Sequence, residues 1–411
     1  MKIVVLTPHF APDLAPTGAV VTTLVEELAG RGHRIEVITS LPWYRDHQIE
    51  PGYGGRLVRR EDTPWGSVLR LHPFPTEDKT DIVRRASSFL GFTALAAAKG
   101  RKGGRRGDRA DVVLAVSPPL TLGLAGYSIA KARGAAFVFN IQDVFPDIAI
   151  ELGVLKNRAL INMARSLEKH CYRKADRITV LSEDLRSNIA ERTADPSKVR
   201  VIPNFVDTHA IRPLATDNPY REEHGLQGKT VVMYAGNVGL SQSLDLMISA
   251  AAASQDDPNL AFVINGGGAA RASLEDRARG LGNVVFVGTQ PVERLPELLA
   301  AADIHVVVLK RGLARSSVPS KTFSILAAGR PFVASVDTGS EIATIAERSG
   351  AGIAVPPEDA ESFTKAIRHL ADNPEERAEM GRRGRDFVEG WASPAAVAQR
   401  YEELFLECAR Q

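Results

Sequence analysis

Cysteine is almost missing: Cys171 and Cys408 are the only two in 411 residues. Two thiols exclude a disulfide framework and a Cys-rich metal site. Their scarcity points to a reducing, cytoplasmic compartment. Metal-ligand spacing is missing too. None of the nine histidines forms an H-x-x-x-H pair, and there is no Asp-x-Asp pair. Nor does one sign of charge prevail. The formal net charge of +2 gives no whole-chain case for nucleic-acid binding. Long apolar runs are lacking as well. The longest candidate, Ala86 to Ala98, holds two serines and a glycine. It falls short of the ~20 apolar residues that span a bilayer. At the start, Ile3-Val4-Val5-Leu6 is soon ended by His9 and Asp13, which argues against a signal peptide. No P-loop occurs.

What is present is the balance of a globular protein, with 44% apolar and 24% charged residues. Short β-branched runs alternate with longer helical patterns, which argues for parallel sheets covered by helices. In the first half the runs predict strands at Lys2–Leu6, Ile35–Thr39, Val68–Leu71, Asp111–Val116, Phe137–Ile141, Arg177–Leu181 and Val199–Ile202. In the second half they predict Val231–Ala235, Leu260–Asn265, Val284–Val287, Ile304–Leu309, Phe332–Ser335 and Gly352–Val355. Helices are expected at Ala19–Arg31, Ser243–Ser254 and Ser320–Ala328. The class is therefore α/β, with two doubly wound, Rossmann-like domains. Pro203-Asn204, Arg212-Pro213 and Asn218-Pro219 punctuate the boundary, giving domains at 1–205 and 206–391. A last helix at about 392–411 is free to pack on either one.

Ligands of open α/β sheets bind beyond the carboxyl ends of strands. Three such loops carry suitable chemistry. After Leu6, Thr7-Pro8-His9-Phe10 leads to Pro16-Thr17-Gly18-Ala19. Thr17 could cap the helix there, and Gly18 could let backbone approach an anion; taken alone, the loop fits a plain strand–helix connection better. After Ala235, Gly236-Asn237-Val238-Gly239 suits a phosphate or sugar contact, or a tight turn. After Leu309, Lys310, Arg311 and Arg315 precede Ser316-Ser317-Val318-Pro319-Ser320-Lys321. Proline is favoured at a first helical position, with Ser317 or Val318 as cap. Cations, hydroxyls and a helix dipole thus converge as a diphosphate requires, the alternative being a solvated basic loop. Gly266-Gly267-Gly268 lacks the last glycine of G-x-G-x-x-G and is a weak dinucleotide signal. Phe89, Leu90, Phe92 and Leu95 stand before the basic run Lys99 to Arg106. That pattern suits a membrane-surface anchor, or a buried helix followed by a solvated loop.

In order and spacing these motifs resemble family 4 glycosyltransferases of the GT-B fold, whose two domains face each other across a cleft. Phe10-Ala11-Pro12 with Gly18 and Leu24 to His33 is similar to the family's first strand, loop and helix. Ile202-Pro203-Asn204-Phe205 resembles its interdomain hinge, and Ala327-Ala328-Gly329-Arg330-Pro331 its last donor-site helix and turn. Gln142-Asp143-Val144-Phe145-Pro146-Asp147, Tyr234 to Gly239 with Gln242, and Pro319-Ser320-Lys321 resemble a narrower branch. That branch holds N-acetylamino-sugar transferases of O-antigen and capsule assembly, the N-acetyl-L-fucosamine transferase type among them.

The resemblance implies a retaining transfer of a hexose or N-acetylamino sugar. The donor is a nucleotide-diphosphate sugar, UDP-linked by default, and the acceptor a lipid-linked or glycan molecule. No metal and no further cofactor are implied. The first domain is then the acceptor side and the second the nucleotide-sugar side. Lys321 would hold the diphosphate with Arg315, Ser320 and the helix start, while Thr17 and Gly18 close from the first domain. Asn237 and Gln242 stand where the wider family has cations on the diphosphate. Ser316 and Ser324 stand in place of its sugar- and ribose-binding glutamates, and Gln142 in place of a donor-sugar histidine. Gly236 and Gly239 shape the loop. Asp143 would orient the acceptor or act as base, or else cap a helix. Members of the branch are similar in having an apolar–basic helix where Phe89 to Arg106 lies. That implies peripheral attachment to the anionic inner face of the plasma membrane. A 2-epimerase, a phosphorylase or a non-catalytic binding subunit are the alternatives.

Overall fold

The computed structural model describes residues 1–45, 47–75, 82–102, 109–147, 150, 155–239, 241–312 and 320–410, with backbone alone at 82–86 and 320. The chain divides into two compact units, Met1–Asn204 with Val397–Gln411, and Phe205–Ala396.

The first unit is built on strands Lys2–Leu6 (β1), Arg34–Ser40 (β2), Val58–Thr63 (β3), Gly66–Leu71 (β4), Val112–Ser117 (β5), Ala136–Ile141 (β6), Arg177–Val180 (β7) and Val199–Val201 (β8). They form one sheet in the order β3-β4-β2-β1-β5-β6-β7-β8. All neighbours are parallel except β3 and β4. Strand β3 escapes the sequence pattern because it reads Val-Arg-Arg-Glu-Asp-Thr and is only partly buried. Charged side chains suit an edge strand, which they guard against pairing with other chains.

The helix Pro16–Gly30 follows β1 and buries Val21, Leu24, Val25 and Leu28. Its cap is the extended residue Ala15, with Pro16 opening the helix and no side-chain cap bond. Thr17 therefore lies inside the first turn and is not the cap. The helix Ile82–Gly100 buries Phe92 and Ala96. A Cβ on Gly100 would meet Ile129 at 2.5 Å and Ile38 at 2.8 Å, so its end packs tightly on the unit. Leu90 stays 55% exposed, and the basic run beyond Lys102 lies outside the described residues. The helix Pro394–Ala409 closes this unit from Val397 onward. It is anchored by His33–Glu402 at 2.9 Å, by Arg177–Glu407 at 2.7 Å and by the buried Tyr401 hydroxyl.

The second unit carries Thr230–Ala235 (β9), Leu260–Asn265 (β10), Val284–Val287 (β11), Ile304–Val308 (β12), Phe332–Ser335 (β13) and Gly352–Val355 (β14). Their order is β11-β10-β9-β12-β13-β14, all parallel. Both faces are covered. Val231, Met233 and Val263 join one core, while Val232, Phe262 and Ile264 join the other. Burial on both faces explains why these strands read as continuous apolar runs rather than alternating ones. Among the described residues, no helix is long and apolar enough to cross a membrane.

Candidate functional site

Strand order in the second sheet reverses between β9 and β12, and ligands of open α/β sheets bind at such reversals. A cavity of about 620 Å³ lies there, lined by Gly236 and Asn237 after β9, Asn265 to Gly267 after β10, and Lys321 and Ser324. The size is that of a small-molecule site. Lys321, Ser324 and Ile325 sit three and four positions apart on the helix Ser320–Ala327, so one face of that helix meets the cavity.

Lys321 is the charged group of this wall. Its Nζ donates to the Tyr234 hydroxyl at 3.0 Å and sits 4.2 Å from the centre of the Tyr234 ring. No carboxylate pairs with it among the described residues. Burial without a counter-ion pushes its ammonium down to about 8. The Tyr234 hydroxyl donates in turn to the Asn237 carbonyl at 2.7 Å, and burial pushes its own pKa up to about 12. It stays protonated, so lysine, tyrosine and loop form one fixed chain of donors. His305 lies deeper in the wall. Its ring bonds the Leu299 carbonyl at 2.9 Å, and burial lowers its pKa to about 4, leaving it neutral.

The triple glycine has a structural reason. The loops after β9 and β10 lie against each other, with Gly236 N donating to Asn265 O at 3.0 Å and Val238 N to Gly267 O at 2.8 Å. Gly266 has φ +140, and a Cβ there would stand 1.9 Å from the Gly236 carbonyl. Gly268 has φ +152 and would meet Val238 O at 2.3 Å. Only glycine permits this approach.

Gly239 and Gln242 shape the same loop from outside the lining, through a 3.0 Å bond from Gly239 N to Gln242 Oε1. Lys310 and Arg311 are exposed and outside the lining, and Arg311 donates to the Pro357 carbonyl at 3.2 Å. The expected gathering of cations thus reduces to Lys321 among the described residues. Arg315, with Ser316 to Pro319, lies outside those residues, as does the side chain of Ser320. The far end of the cavity is formed by Thr289, Gln290, Pro291, Val292 and Leu295, which the sequence reading did not single out. They follow β11, so the carboxyl-end rule applied to every strand would have found them.

Two family models account for most of the chain: a glycosyl transferase 4-like domain over residues 17–204 and glycosyl transferases group 1 over residues 217–387. A putative colanic acid biosynthesis glycosyl transferase, WcaI of Escherichia coli K12, is 30% identical over 90% of this chain and 91% of its own.

The chain belongs to the group 1 glycosyl transferases.

A probable glycosyltransferase of Pseudomonas aeruginosa, WbjE, is 29% identical over 73% of this chain and 75% of its own. Among solved structures, sucrose-phosphate synthase from Thermosynechococcus elongatus matches with TM-score 0.69 at 18% identity, over 99% of this chain and 98% of that one. Anabaena HepE in complex with UDP matches with TM-score 0.67 at 14% identity, over 99% and 100%. The fold of this glycosyltransferase is GT-B.

In the first unit of the enzyme the expected residues part company. The Gln142 amide is engaged at both ends, donating to Asn140 Oδ1 at 2.7 Å and accepting from Asn204 Nδ2 at 2.8 Å. Asn140 also donates to Thr179 and Tyr401, each at 3.0 Å. Gln142 thus ties the C-terminal helix to the residue that ends the unit. Asp143 beside it is exposed and has no hydrogen bond among the described residues, helix cap included. Desolvation by the surrounding protein raises its pKa. Gly18 is buried, and the space of its missing side chain faces His9 Cβ at 3.1 Å and Asp13 O at 3.3 Å. It makes room for the protein's own loop. Thr17 lines a separate cavity of this unit.

Proposed function

We propose that the second unit holds a nucleotide-diphosphate sugar, with UDP as the nucleotide. The sugar passes with retention to a lipid-linked or saccharide acceptor in cell-surface polysaccharide assembly. One observation carries this reading: Lys321 is a half-buried cation with no carboxylate partner among the described residues, on the wall of a nucleotide-sized cavity. Such a charge is costly until an anion joins it. A diphosphate supplies that anion. The relative named for colanic acid biosynthesis and the neighbour solved with UDP support the same reading.

In the proposed reaction the anomeric C–O bond breaks and its electron pair leaves with the diphosphate. The acceptor oxygen bonds the anomeric carbon on the same face, and its proton passes to the leaving phosphate oxygen. Lys321 stabilises the charge that develops, Gly236 and Asn237 approach the phosphates, and Ser324 contacts the donor. Thr289 to Leu295 hold the nucleoside. Asp143 orients the acceptor hydroxyl through its carboxylate. The protein carries this charge without a metal ion. Arg315 and Ser320 assist Lys321, and Phe89 to Arg106 attaches the enzyme to the inner membrane surface.

Labelled UDP-sugars incubated with bacterial envelope lipid, in buffer containing a chelator, should yield an organic-extractable product. Absence of transfer and of donor binding across a panel of UDP-, GDP-, ADP- and dTDP-sugars would sink the reading. Conversion of donor without acceptor would favour an epimerase. Binding should also depend on pH. Lys321 is charged below about 8 and neutral above it, whereas a nucleotide sugar keeps its charges throughout this range. Affinity for UDP-glucose should therefore be flat below pH 7 and fall by about tenfold per unit well above pH 8, with proton uptake on binding near pH 8. Calorimetry in two buffers of different ionisation enthalpy checks this.

A further inference from the structure

The loop after β6, Gln142 to Asp147, is anchored at both ends. Asn140 and Asn204 hold the Gln142 amide at its start. Within the loop Val144 joins the apolar core, Phe145 packs against that core, and Pro146 is buried. Asp143 alone in the loop is exposed.

The far end is ionic. Asp147 Oδ1 accepts from Arg165 Nη2 at 3.0 Å, and its Oδ2 accepts from Arg192 Nη2. The two arginines come from different segments. Arg165 belongs to the helix Arg158–Lys174, and Arg192 follows the helix Glu183–Ala190. Arg192 also donates to Glu168 Oε1 at 3.4 Å, which accepts from the Tyr172 hydroxyl at 3.1 Å. Glu168 is buried, which raises its pKa, and Arg192 opposes the rise. Arg165, Glu168 and Tyr172 stand three and four positions apart, on one face of their helix.

Glu168 already accounts for Arg192, since a buried carboxylate needs a counter-ion. It does not account for Asp147. The Asp147 side chain is 18% exposed and that of Arg165 39% exposed. Ion pairs that water reaches contribute little to stability. What a carboxylate gripped by two guanidinium groups supplies is a fixed geometry.

We infer that Asp147 is a positioning residue for the transfer reaction. Arg165 and Arg192 clamp one end of the loop and the Gln142 network the other, so the backbone presents the Asp143 carboxylate to the acceptor hydroxyl in one orientation. The inference rests on the role of Asp143 proposed above.

The test is a double-mutant cycle on rates of sugar transfer. Asp147→Ala strands no buried charge, because Arg192 keeps Glu168 and Arg165 reaches water. It should lower kcat about 10–100-fold, the cost of misplacing a reacting group by about 1 Å, with donor KM and UDP affinity unchanged within about twofold. Asp143→Ala should lower kcat at least as far. The double variant should be no slower than Asp143→Ala alone, because Asp147 acts through Asp143. A role in the fold alone would instead give losses that multiply, with a lower Tm and weaker UDP binding. If Asp147→Ala does not fold, Asp147→Asn, of the same shape, takes its place in the cycle with the same expectation. The inference falls if the Asp147 variant keeps the parent kcat, if the two losses multiply, or if UDP affinity falls along with kcat. Full activity of Asp143→Ala overturns the role of Asp143 and this inference together. Absence of transfer by the parent enzyme tells against the proposed function itself and carries this inference with it.

Discussion

Lys321→Met should lower kcat/KM for the donor by about 10²–10³ while leaving the protein at least as stable as the parent. The activity loss is that of removing one preorganised charge from a developing anion, about 3–4 kcal/mol. The stability expectation has the opposite sign. Lys321 is half-buried with no carboxylate partner among the described residues, and its pKa of about 8 reflects the cost of charging it there. A methionine of similar length removes that cost. Tyr234 is not stranded, because its hydroxyl still donates to Asn237 O. Steady-state kinetics and a thermal melt on one preparation check both. A variant that keeps full activity removes Lys321 from the site. A variant that loses activity through a lower Tm assigns it to the fold instead.

Gly266→Ala should cost about 2–4 kcal/mol of stability and abolish UDP binding. Two penalties combine: φ +140 is closed to side chains, and the added carbon would stand 1.9 Å from the Gly236 carbonyl. One loop has to move, and both line the cavity of the second unit. The control is Gly282→Ala, where no atom lies within 4 Å of the added carbon. Its effect should stay within about 0.5 kcal/mol. Equal Tm values for the two variants would refute the crossing as the reason for the triple glycine.

The legibility of the site followed the range of the forces involved. Lys321 stood out because a proline, two serines and a lysine at a helix start are neighbours in sequence. The direction of a side chain is another matter. Lys310 and Arg311 looked like partners of Lys321, yet they face outward, and Arg311 joins Pro357. Gln142 had the chemistry of a sugar contact, yet Asn140 and Asn204 hold its amide, one of them 62 positions away in sequence. The triple glycine read as a poor nucleotide fingerprint because its meaning lies in a second loop, which β10 meets only through its pairing with β9.

The sequence by itself determined the α/β class and nearly every strand. A strand buried on both faces must be apolar throughout, and that demand is local. It also marked the loops at strand ends, since turns and caps are chosen by adjacent residues. Only the tertiary structure decided which of those loops meet. It set Lys321 against Tyr234 with no carboxylate among the described residues, pressed Gly266 onto Gly236 and joined His9 to Asp13 beside Trp43. It also showed the charged edge strand β3, which no apolar pattern announces. Burial and pairing between distant segments set these contacts, and no window of neighbouring residues contains them.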